Sequence, residues 1–174
     1  MFKAKACDYC DDVVAELADI SLGDAWLEPY IRDGKGTNLV ITRSLMAHRI
    51  IQEGVRKGEI YVEPISLDRL IMSQRGNFNH RHRGLPFRIR QERRKGVAIN
   101  QKRFSNCKAS FDFRMVQRLR MRIRYRSLIA WKNSRNAQEF EKTMENDLRK
   151  LRLATRIYHH KNRLAKELKR IFSR

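Results

Sequence analysis

The sequence is poor in cysteine, in proline and in long apolar runs: it has three cysteines and three prolines in 174 residues. Three cysteines do not make a disulfide framework. Two of them, Cys7 and Cys10, form a C-x-x-C pair, and such a pair in a reducing compartment is more often metal-binding or redox-active. No apolar stretch approaches the roughly 18 residues that a membrane helix needs. The start, MFKAKACDYCDD, lacks the apolar centre of a signal peptide, so the expected location is cytoplasmic. The chain has no G-x-G-x-x-G fingerprint, zinc-finger spacing or RNP motif, so no standard dinucleotide or nucleic-acid reader is announced.

What is there is charge, unevenly spread. Residues 1–70 hold 9 Lys/Arg against 12 Asp/Glu, a net of −3. Residues 71–174 hold 30 against 7, a net of +23. This asymmetry predicts two regions with different jobs.

The first region reads as a small α/β unit over residues 1–76. TNLVIT (37–42) is a β-branched strand candidate. Residues 44–58 read as a helix carried by Met46, Ile50, Ile51 and Val55 and closed by Gly58. EIYVEPI (59–65) reads as a second strand and 67–75 as a short helix. That order suggests a βαβ-type arrangement, with another extended segment around ADISLGDAW at 18–26. Residues 77–109 are basic with little periodicity and read as a linker. Residues 110–174 read as a helical hairpin. Phe111, Met115, Leu119 and Ile123 would form the stripe of its first helix, with Arg114, Arg118, Arg120, Arg122, Arg124 and Arg126 on the other faces. Asn136 and Glu139 have capping-box spacing ahead of the second helix.

Several residues are candidates for chemistry. Thiolates two residues apart can grip one metal ion or cluster, because a tight turn aims both sulfurs at one centre, and such sites normally need four ligands. Cys107 is the remaining cysteine, so Cys7 and Cys10 are half of a metal site, a redox pair or ordinary thiols. Gly23-Asp24-Ala25-Trp26 follows an apolar run. There a glycine would admit a ligand to the backbone, an aspartate could bind a sugar-like hydroxyl and a tryptophan could stack on a flat ring. A turn with a buried anchor fits the same residues. The turn Asp33–Gly36, followed by Thr37, offers backbone N–H groups that with Arg43 could meet a phosphate, although Arg43 also reads as a surface arginine. His80 and His82 alternate with arginines, which disfavours a cation site and suggests a flexible basic segment.

Taken in order, Cys7 and Cys10, ADISLGDAW at 18–26 and DGKGTNLVI at 33–41 resemble the C-terminal domain of the coenzyme F(420) hydrogenase/dehydrogenase beta-subunit family. The resemblance covers residues 5–76. It implies an oxidoreductase module that passes electrons between a 4Fe-4S cluster, FAD and, in some members, a deazaflavin coenzyme. On that resemblance Cys7 and Cys10 would be cluster ligands, Gly23 and Asp24 would lie in the loop near cluster and flavin, and Gly36 and Thr37 in the following turn. Family members are about twice as long, with their remaining cluster cysteines upstream. The chain therefore resembles a C-terminal portion of such a protein. It is expected to be inactive alone and to need an N-terminal half or a partner redox subunit. The catalytic residues are not indicated. The alternative is a basic nucleic-acid or partner-binding module with a degenerate α/β head, because 30 cationic residues beyond position 70 would attract polyanions.

Overall fold

A computed structural model describes residues 2–100, 103 and 107–172. The chain divides into two compact units. One is Asp12–Asn79; the other joins Met1–Asp11 to His80–Arg174. The N-terminal peptide thus belongs with the helical C-terminal region, and the segment between forms a unit of its own.

In the Asp12–Asn79 unit, β1 (Ile20–Asp24) and β2 (Asn38–Thr42) pair antiparallel, with Leu22 opposite Val40 and Asp24 opposite Asn38. Two helices accompany them, α1 (Leu45–Arg56) and α2 (Leu67–Ser73). Each begins at a serine whose Oγ accepts an N–H three residues on, Ser44 from Ala47 at 3.3 Å and Ser66 from Arg69 at 3.4 Å. The expected strand at 37–42 and both expected helices form, and so does the extended segment at 18–26.

The expected strand at 59–65 does not form. Gly58 ends α1 at φ +73°, and the Glu59 and Ile60 N–H groups both turn back to the Gly54 carbonyl, at 2.9 and 3.4 Å. Pro64 has no N–H to offer. The sheet is accordingly an antiparallel hairpin rather than a βαβ crossover. A hairpin of two five-residue strands is marginal by itself, and the fully buried apolar residues of this unit are few: Ala25, Leu27, Leu39 and Ala47.

The middle unit ends in α3 (Arg75–Phe78), which runs into one wide helical turn at Asn79–Arg83, where the other unit resumes. Next comes α4 (Leu85–Arg93). Helix therefore occupies much of the stretch that reads as a linker. α4 shows no amphipathic pattern because it is covered nearly all round: Leu85, Pro86, Phe87, Arg88, Ile89 and Glu92 are all buried. The expected hairpin forms from α5 (Phe111–Asn133) and α6 (Ala137–Phe172). They are antiparallel, since Trp131 meets Phe140 at one end and Asp112 pairs with Lys161 at the other. Asn136 Oδ1 accepts from the Glu139 N–H at 2.9 Å, and Glu139 reaches back to the Arg135 N–H at 2.9 Å. The hairpin core is Ile123, Ala130, Phe140 and Met144, with Leu148 and Leu151 against it. Phe2 packs on Trp131 and Phe140, with ring centroids 5.9 and 5.5 Å away.

The buried stripe of α5 differs from the expected one. It runs through Phe113, Val116, Gln117, Ile123, Ser127 and Ala130, and Phe111 is exposed. Arg124 lies toward that stripe, with only 13% of its side chain exposed, instead of facing solvent.

Candidate functional site

Cys7 lies in a turn of 3-10 helix, Lys5–Asp8, in which the Cys7 N–H donates to the Ala4 carbonyl at 3.0 Å. Tyr9 N–H then bonds the Ala6 carbonyl, also at 3.0 Å, so the backbone is tightly wound between the two cysteines. Both thiols are half-buried and neither is in a disulfide.

The turn is held by side chains that come from α4 and α5. Arg88, wholly buried, donates from Nε to the Asp8 carbonyl at 2.7 Å. Its Nη1 donates to the His80 carbonyl at 2.7 Å and to Gln117 Oε1 at 2.8 Å. Arg124 forms an ion pair with the Asp8 carboxylate, itself buried. Gly84 is required beside this cluster: a Cβ there would stand 2.6 Å from Arg88 Nη1 and 2.7 Å from the His80 carbonyl oxygen.

His80 is neutral in this setting. Burial, then the charges of Arg88 and Arg120, push it down to about 3. Its Nδ1 lies 3.0 Å from Gln117 Oε1, which only accepts, so Nδ1 carries the proton. Nε2 is then free to accept from Arg124 Nη2 at 3.2 Å. His80 is therefore a buried hydrogen-bond bridge and not part of a flexible basic segment. His82 Nε2 lies 2.8 Å from the Asp11 carbonyl oxygen.

Positive charge gathers near Lys3 and Arg88, and Lys3 and Arg124 both act on Cys7. Lys3 is held below the usual lysine range by partial burial and by Arg124, Arg81 and Arg120, while Cys7 acts on it in the opposite sense. Burial also depresses Arg124 and Arg120, and Arg88 falls to about 10 for the same reason. On the far side of the turn, burial and the Glu92 carboxylate raise the Tyr9 hydroxyl to about 12. Glu92 also binds Lys5 and Lys95, at 3.0 and 2.7 Å.

Gly23, Asp24, Gly36 and Thr37 lie together at one end of the hairpin in the Asp12–Asn79 unit. Gly23 pairs with Leu39, and open space lies where its side chain would be. Just beyond Asp24, Ala25 N–H donates to the Thr37 carbonyl at 2.9 Å. Asp33 shapes the connecting turn, accepting from the Lys35 N–H at 2.9 Å and from Thr37 Oγ1 at 3.1 Å. Gly36 adopts φ +84°, a conformation that favours glycine. Gly36 and Thr37 line an open groove of about 1310 Å³, together with Leu39, Ile51, Val62 and Arg69 among others; Gly23 and Asp24 do not. Trp26 is half exposed, its N–H bound to Ser73 Oγ at 3.0 Å.

Arg43 is engaged by the protein itself. It donates to the carbonyls of Ala18 and Val14, at 3.0 and 2.7 Å, and ties down the loop before β1. Among the described residues no group of three or more His, Cys, Asp or Glu side chains is arranged to hold a metal ion.

Arg88, Gln117 and Arg124 are the residues that sequence reasoning missed. Gln117 and Arg124 are seven residues apart on one helix, beside Phe113, Val116 and Ile123. Polar side chains at buried-stripe spacing were the available signal.

No helix among the described residues is long and apolar enough to cross a membrane. Residues 1–68 match the family model that describes the C terminus of the beta subunit of coenzyme F420 hydrogenase/dehydrogenase. A curated protein from Methanococcus voltae, coenzyme F420 hydrogenase subunit beta, is 32% identical over 94 residues, covering 49% of this chain and 33% of that protein. The chain thus spans about a third of the length of that relative. No solved structure matches. Over residues 1–68 the chain is therefore similar to the C-terminal domain of the coenzyme F420 hydrogenase/dehydrogenase beta-subunit family.

Proposed function

We propose that the chain is part of an electron-transfer flavoprotein, in which Cys7 and Cys10 supply two of the ligands of a 4Fe-4S cluster. The observation that carries the reading is the C-x-x-C turn itself, standing inside the family segment and fixed at its Asp8 carbonyl by a buried arginine. The donor set suits the group: two soft thiolates on a wound turn, among cations that favour bound negative charge. The remaining ligands would come from another polypeptide segment, an N-terminal half or a partner redox subunit. When bound, the cluster would supply one-electron transfer. The chain's own residues hold the thiolates at fixed spacing and restrict water on the Asp8 side, where Arg88 and Gln117 are fully buried.

The groove beside Gly36 and Thr37 is the candidate place for FAD or a deazaflavin. Its walls combine apolar side chains with a few convergent polar ones, His48, Gln52 and Arg69, as ligand sites generally do.

The test is anaerobic reconstitution of the full chain with ferrous iron, sulfide and an excess of a small thiol able to stand in for the absent ligands. The chain should retain iron and acid-labile sulfide through gel filtration, and the Cys7→Ser/Cys10→Ser double variant should not. Equal iron in both, or none in either, would overturn the reading.

A second reading rests on charge. The unit containing the helical hairpin has 31 Lys/Arg against 9 Asp/Glu, a net of +22. A polyanion-binding face would reveal itself as affinity for duplex DNA that falls steeply with salt and is indifferent to the cysteine substitutions.

A further inference from the structure

The helical region beyond residue 68 lies outside the matched family segment, yet it supplies the side chains that surround the C-x-x-C turn. Lys3 and Arg124 act on Cys7, Arg88 binds the Asp8 carbonyl, and Arg81 and Arg120 act in turn on Lys3 and Arg88. The carboxylates at the turn are Asp8, paired with Arg124, and Glu92, beside Tyr9 and bound by Lys5 and Lys95. His80, between Arg88 and Arg124, is neutral and offsets none of it. The cluster of side chains is therefore rich in positive charge, and part of it is buried. Buried charge of one sign is costly unless something of the opposite sign compensates it.

One donor points to where that compensation belongs. The guanidinium is planar, and Nε and Nη2 share one edge with their N–H bonds roughly parallel. Nε of Arg88 lands on the Asp8 carbonyl, in the middle of the C-x-x-C turn. Nη2 lies on the same edge, is fully buried, and has no hydrogen-bond partner among the described residues. The opposite corner, Nη1, is already held by the His80 carbonyl and Gln117.

We propose that Arg88 and Arg124, with Lys3, form a cationic back wall for an anionic iron–sulfur cluster held on Cys7 and Cys10. Arg88 is a positioning residue that fixes the turn at the Asp8 carbonyl and keeps an unpartnered N–H, Nη2, on that same edge. Arg124 and Lys3 provide compensating charge. This inference rests on the reading that the two cysteines are cluster ligands. It adds that the helical region sets the cluster's reduction potential. Reduction adds one electron to an already anionic group, so nearby cations and N–H donors favour the reduced state and raise the potential.

The experiment measures the midpoint potential of the reconstituted full chain, by redox titration followed in the visible spectrum, for wild type, Lys3→Gln, Arg124→Gln, Arg124→Lys and a control on α6, Arg163→Gln. Lys3 is exposed on the N-terminal peptide, so Lys3→Gln tests the charge even if Arg124→Gln does not fold. Each neutralised charge should shift the reduction equilibrium about three- to tenfold, a fall of roughly 30–60 mV for a one-electron couple. Arg124→Lys should stay near wild type, and the control should match it. Iron retained with an unchanged potential in Lys3→Gln and Arg124→Gln would overturn the back wall while leaving the cysteines as ligands. Iron absent from wild type would overturn both.

Discussion

Arg88 and Asp8 stand eighty positions apart in the sequence, and the Nε of the first donates to the main-chain carbonyl of the second at 2.7 Å. The bond ties the cysteine turn to α4, and the consequences can be measured.

Arg88→Met leaves three carbonyl-type acceptors, on Asp8, His80 and Gln117, without this donor. Breaking a buried charged network in this way costs about 3 kcal/mol or more. Gly84→Ala, whose new methyl would collide with Arg88 and the His80 carbonyl, should cost roughly 1–3 kcal/mol. Urea unfolding of the two variants should show lower midpoints with an unchanged slope.

His80 makes the fold acid-sensitive. Its folded value of about 3 lies below the ordinary histidine value of 6.5. The unfolded chain therefore takes up this proton first, and stability falls as pH drops from about 6.5 toward 3. At 1.36 kcal/mol per unit the histidine accounts for roughly 3–5 kcal/mol across that window. Denaturation curves collected from pH 7 to pH 4 should show a shallower loss in His80→Gln than in wild type. Parallel slopes would remove His80 as the cause.

The helical hairpin offers two independent tests. Met144 is wholly buried, so Met144→Ala should cost about 2–5 kcal/mol. Asn136→Ala removes the 2.9 Å cap of α6 and should cost about 1 kcal/mol. The two sites are two helical turns apart, and their effects on the thermal midpoint should add.

The β1–β2 end tests the groove. Gly36→Val places a β-branched residue at φ +84°, which should cost about 1 kcal/mol or more. Flavin affinity, followed by quenching of flavin fluorescence, should fall in Gly36→Val and survive in Gly23→Ala, because Gly36 lines the groove and Gly23 does not. The opposite ranking would move the flavin away from this groove.

Local patterns were the legible part of the fold. The α1 periodicity, the Gly58 stop, the Asn136–Glu139 cap and the β-branched 37–42 run each act within a few residues, and each is present. The strand at 59–65 was not legible, because its absence depends on the Gly54 carbonyl capturing two N–H groups. α4 leaves no trace in the sequence pattern, because a helix covered nearly all round carries no polar–apolar rhythm. The cysteines were visible as a spacing. Their support was not, since Arg88, Gln117 and Arg124 come from distant helices and look like ordinary members of a basic tail. The resemblance at residues 5–76 anticipated the family segment 1–68 closely.

The chain passes out of one compact unit at Asp11 and returns to it at His80. Charge changes near residue 70 and the family segment stops at 68, so either looks like a clean place to cut. A crossover there would carry Cys7 and Cys10 off with the middle segment and strand α4 and α5 on the other product. Recombination that preserves both sides must instead treat 12–79 as an insert. Closing a loop of that length costs only slightly more than closing a short one, because the entropy grows with the logarithm of length. The middle segment is therefore free to lengthen, shorten or be exchanged, while the first eleven residues and the helices must be inherited as a pair.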